Sequence, residues 1–120
     1  MGLFDKLFGK PKKQKHPFDG KPNTFGGDGS SADQAVVVNC ASMGMANLII
    51  DNWISERHGK KDEAWRRTTE MFLDHGKNNP PTLRRIFIET KDGETPSYVF
   101  NIGRPMGATM KLHDILTGGQ

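Results

Sequence analysis

The sequence predicts an α+β domain, or a small α/β one, with helices covering one face of a two-layer sheet. Three observations carry this. Ala35–Asn39 is a β-branched run, and from Met45 to Arg57 the apolar residues recur with helical period. Leu83–Thr90 and Tyr98–Ile102 then flank the turn signal Asp92-Gly93. The expected order is β-α-α-β-β, preceded by an amphipathic N-terminal arm.

Each element has its own local reason. Val36–Val38 reads as a strand buried on both faces, because its apolarity is continuous. Ala46, Ile49, Ile50, Trp53 and Arg57 make one stripe of the first helix, with Gly59 placed to end it. A second helix is expected from Asp62 to His75, where Ala64, Trp65, Thr68, Met71, Phe72 and His75 share a face and Gly76 follows. Asn78-Asn79-Pro80-Pro81 then admits neither helix nor ladder. The last two strands are expected to pair antiparallel. Arg104-Pro105-Met106-Gly107 breaks the pattern, and Met110–Leu116 suits one or two helical turns.

With 120 residues, the chain is sized for one domain that buries a core without a metal or disulfide staple. Four segments follow: a short amphipathic helix at 1–9, a basic Gly/Pro-rich connector at 10–31, a globular domain at 32–116 and a tail at 117–120. No apolar run approaches the length of a bilayer span. The single cysteine, Cys40, excludes an intramolecular disulfide and fits a cytoplasmic setting.

Charge is unevenly distributed. Residues 1–21 hold six lysines against Asp5 and Asp19, an excess of +4, which leaves the other 99 residues at −1. Leu3, Phe4, Leu7 and Phe8 fall on one face of a two-turn helix, and Lys10, Lys12, Lys13 and Lys15 follow. Two turns do not hold as a helix alone in water. The arm therefore reads as a contact element for a protein partner, an anionic membrane surface or a second copy, with folding back onto its own body as the plain alternative. Gly2 lacks the Ser or Thr at position 6 that a myristoylation signal carries; Lys6 stands there.

Chemistry is harder to place. Gly26-Gly27-Asp28-Gly29 precedes a strand and lacks a following Gly-Lys-Ser/Thr, so it reads as a turn and not as a phosphate loop. Asn39-Cys40-Ala41-Ser42 joins the apolar strand to the first helix, where α/β proteins collect ligands. Cys40, Ser42 and Arg104 are accordingly the ligand-binding candidates, although no base lies beside the thiol and no residue is assigned as catalytic. His16, His58, His75 and His113 have no metal-ligand spacing, so neither metal nor cofactor is expected. Arg57, Lys60, Lys61, Arg66, Arg67, Arg84 and Arg85 are interrupted by Glu56, Asp62, Glu63 and Glu70, which argues against nucleic acid. The reading is a non-catalytic interaction or adaptor domain. Its competitor is a small enzyme or ligand-binding domain with a pocket near Cys40, Ser42 and Arg104.

Overall fold

Three consecutive valines, stiff at χ1 and suited to extended backbone, form a central strand of a mixed five-stranded sheet. The computed structural model describes residues 16–74 and 82–108. The strands are β1 (Thr24–Gly26), β2 (Val36–Val38), β3 (Trp65–Phe72), β4 (Leu83–Thr90) and β5 (Ser97–Asn101), and the long helix is α1 (Met43–His58). Residues 103–108 are also helical and are called α2. Across the sheet the order is β1-β2-β5-β4-β3. Among the described strands only β2 and β5 pair in parallel, with Val36 beside Phe100 and Val37 beside Asn101.

The architecture is therefore a small α+β fold with an open mixed sheet and helices over one face, but the element order differs from the expected one. The segment read as a second helix is the edge strand β3. It pairs antiparallel with β4 from Trp65↔Thr90 to Phe72↔Arg84. Asp62, where that helix was expected to begin, instead sits in a turn at φ +70. Ladder bonds to β4 outweigh the helical spacing of the apolar residues, because they satisfy the backbone while still burying Trp65. A second departure lies within the expected connector: Thr24–Gly26 pairs antiparallel with Val38–Val36 as β1. The arm at 1–15, the turn at 78–81, Met110–Leu116 and the tail at 117–120 lie outside the described residues.

The other expected elements are present. Val36 and Val38 are buried but Val37, on the other face, is only partly so, which leaves the strand buried on one face and not on both. Trp53 and Trp65 both enter the core. β4 and β5 pair antiparallel, with Leu83 opposite Asn101 and Phe87 opposite Ser97. Ala46, Ile50, Trp53 and Ile54 of α1 pack with Val36, Val38, Ile86, Ile88, Phe100 and Ile102, and Met106 of α2 rests against the same cluster. Gly59 closes α1 at φ +105, where its N–H bonds to Ser55 O at 2.8 Å.

At its other end α1 is capped by Ser42, whose Oγ accepts from Met45 N–H at 3.2 Å. Ser42→Ala should cost about 1 kcal/mol in urea unfolding, while Ser42→Asp should retain most of the stability. Equal losses from the two variants would refute a capping role.

Asp74 ties the end of β3 to the start of β4. Its carboxylate accepts from the Thr82 hydroxyl and from the N–H groups of Thr82 and Leu83, the last at 2.8 Å. These bonds, that of the Thr82 hydroxyl first, hold its pKa below the ordinary 3.8. A depressed folded value means the stabilisation is complete above the unfolded pKa and fades as pH falls through the folded one. Asp74→Asn should therefore lower stability at neutral pH and converge with the parent in acid. A gap that stays constant across an acid titration would refute this linkage.

Candidate functional site

β2 and β5 end, β4 begins, β3 ends and α1 starts at one end of the sheet, as the register requires. The three expected ligand-binding residues lie here, in separate roles. Ser42 is the cap of α1. The Cys40 thiol is partly buried and donates to Ser42 O at 3.4 Å. Arg104, at the start of α2, binds Asn39 Oδ1 through one terminal nitrogen at 2.6 Å and Asp19 Oδ1 through the other at 2.7 Å.

Asn39, read in the sequence as a hydrogen-bonding residue of the strand-to-helix junction, finds its partners within the chain. It is buried, and its Nδ2 lies 2.9–3.0 Å from the carbonyl oxygens of Phe18, Lys21 and Pro22. Its backbone N–H donates to Asn23 O at 2.7 Å. Asn39 and Arg104 together clamp the segment 16–23 against the end of the sheet. Phe18 also packs edge-on to Phe25, with centroids 5.1 Å apart. The Arg104 hydrogen bond is the largest cause holding the exposed Asp19 carboxyl below its ordinary range. Only the polarity of a strand-terminal Asn hinted at this role, since its partners are distant in sequence.

A second polar group joins α1 to the edge of the sheet. Arg67 donates through Nε to Asp51 at 3.0 Å, and Lys61 reaches the other oxygen of Asp51 at 3.0 Å. Asn47 Oδ1 accepts from Arg84 at 3.1 Å, and Arg84 also holds Glu70. Arg84 is buried, and its Nε lacks a partner among the described residues. Arg66 pairs with Glu89, and Lys60 with Glu63. Most of the cations considered for nucleic-acid binding thus have an acidic partner.

At the opposite end, Tyr98 OH and His58 Nε2 lie 2.6 Å apart. Burial raises the Tyr98 phenol above its ordinary value, so it keeps its proton in this contact. Trp65 Nε1 donates to Gly59 O at 2.9 Å. Both contacts join core elements to the end of α1. The glycine segment at 26–29 is the β1–β2 connection: Gly27 and Gly29 donate to Ala35 and Gln34. Its amides serve the chain itself.

Two shallow depressions occur among the described residues. One depression of about 180 Å³ is lined by residues that include Glu63, Trp65 and Thr90, and another of about 170 Å³ by residues that include Thr24, Asn52 and Glu56. Neither includes Cys40, Ser42 or Arg104. No group of three metal-ligating side chains occurs among the described residues. No helix among them is long and apolar enough to cross a membrane. Exposed apolar side chains gather at the clamp end: Met45 and Leu48 on α1, and Met71, Phe72 and Leu73 where β3 finishes. Comparison with family models, curated proteins and solved structures finds no match.

Proposed function

We propose that the chain is a non-catalytic interaction or adaptor domain of the cytoplasm, with its basic arm as the contact element. Leu3, Phe4, Leu7 and Phe8 supply an apolar face, and Lys10, Lys12, Lys13 and Lys15 supply charge for an anionic membrane surface or a protein partner. One observation carries the reading. The Asp19–Arg104–Asn39 clamp anchors the root of the arm beside the end of the sheet where Met45, Leu48, Phe72 and Leu73 are exposed. A tethered arm and a fixed apolar rim then act on the same side of the domain.

Sedimentation of the full chain with phosphatidylserine-containing vesicles tests the membrane form. Binding should fall with salt and be lost in the Phe4→Ala/Phe8→Ala variant. A protein partner would instead saturate and ignore lipid charge. If the variant matches the parent in both assays, the arm is not the contact element. The competing enzyme or small-ligand reading, centred on Cys40, Ser42 and Arg104, has less support, because Ser42 Oγ and both terminal nitrogens of Arg104 are engaged within the chain. Alkylation of Cys40 faster than a free thiol at neutral pH would revive it.

A further inference from the structure

We propose that two copies of this chain pair through the outer edge of β3, antiparallel about a two-fold axis, with Arg67 of each copy opposite Glu70 of the other. This inference stands apart from the arm and uses only the edge strand. β3 is the last strand of the sheet, and among the described residues its outer edge from Arg66 to Met71 carries no strand. At Trp65 that edge is already occupied, since Lys61 bridges to Trp65 and Asp62 N–H donates to Trp65 O at 2.7 Å.

Backbone direction selects the register. The Trp65 carbonyl points outward, so Arg67 does too. Leu73 N–H points inward, to Leu83 O at 2.9 Å, so counting back turns Glu70 outward. Outward groups normally alternate. Here the irregularity between Arg67 and Thr69 spaces them three apart. The same irregularity puts Arg67 and Glu70 on one face, opposite Ile88 and Ile86. A two-fold axis normal to the sheet preserves faces, so Arg67 against Glu70 satisfies backbone direction and face together. Arg66 then meets Met71, and Thr68 meets Thr69.

Charge favours the same register. It sets two opposite-charge pairs about the axis and no like charges face to face, whereas a register centred on Glu70 would set that carboxylate against itself. Charged residues and bulges ordinarily protect an edge from pairing. In β3 the bases precede the acid, and reversal of direction makes that sequence self-complementary. Glu70 is half-exposed with Oε1 held by Arg84, so Oε2 is the oxygen offered to the other copy. Arg67 keeps its bonds to Asp51 and Asn47 and acts on that oxygen through its charge across the pair.

Sedimentation velocity of the full chain over a concentration series is the first test, with a reversible dimer expected. Thr69→Lys brings two cations together near the axis at an exposed position and should weaken the dimer about tenfold, leaving the monomer's unfolding transition in place. A register test uses the Cys40→Ser background. Mixed Thr68→Cys and Thr69→Cys chains should form a disulfide between copies faster than either chain alone. Removing residues 1–15 should leave the dimer intact. A chain that stays monomeric, a dimer lost with the arm, or cross-linking no faster in the mixture would each overturn the proposal.

Discussion

Trp53→Ala should lower the unfolding free energy by about 3–5 kcal/mol, the largest loss expected from a single substitution in this chain. Trp53 is buried in α1 and meets Tyr98 and Phe100 edge-on, with centroids 5.0 and 5.3 Å away. Arg57 lies over its ring, with Cζ 3.4 Å from the centroid, and donates to Trp53 O. Gly29, at φ +81, comes so close that an added Cβ would stand 3.4 Å from the ring. The indole therefore joins helix, sheet and loop, and its removal leaves a cavity that these elements close only in part. Trp53→Phe, which retains most of the apolar area, should cost less than half as much. Urea titrations decide between these outcomes, and a loss below about 1.5 kcal/mol for Trp53→Ala would mean that the site collapses freely.

Asn39→Ala is expected to cost about 2–4 kcal/mol, although the side chain is small and polar. One amide serves Phe18, Lys21 and Pro22 through Nδ2 and Arg104 through Oδ1. Its loss leaves backbone carbonyls and part of a guanidinium unsatisfied, and water re-solvates them only as the segment lifts away. Tryptic cleavage after Lys21 should accelerate in parallel with the loss of stability. A variant as stable and protease-resistant as the parent would show that Phe18 packing alone retains the segment.

Legibility in the sequence follows the range of the interactions. The valine strand, the stripe of α1, the Gly59 cap and the strand pair around Asp92-Gly93 rest on neighbours in sequence and could be read there. β3 could not, and Thr68 supplies the reason. The irregularity beside it places Trp65, Arg67, Glu70 and Phe72 on one face. Spacings of two, three and two break the strand alternation. Of the residues whose spacing suggested a helix, Trp65 and Phe72 fall on one face of the strand and Met71 on the other. β1 is three residues ending in glycine, and only its pairing with Val36–Val38 makes it a strand. Of the candidate site, Arg104 was identified but not its partners. Asp19 and Asn39 lie 85 and 65 positions away, and nothing local connects them.

The parallel pairing of β2 with β5 bears on synthesis. The ribosome makes Val36–Val38 long before Phe100, at roughly 5–20 residues per second, so β2 waits several seconds for its neighbour. During that time β1 is its only available strand partner, leaving one side of a valine-rich segment open to other nascent chains. The β3-β4-β5 meander, built from sequential neighbours, has no such delay. Val38→Ala should accordingly speed unfolding more than it slows refolding, and Ile86→Val should show the larger effect on refolding. Reversed effects in stopped-flow measurements would put β2 docking at the start of folding, and the nascent chain would then be held unfolded until nearly all of β5 had emerged.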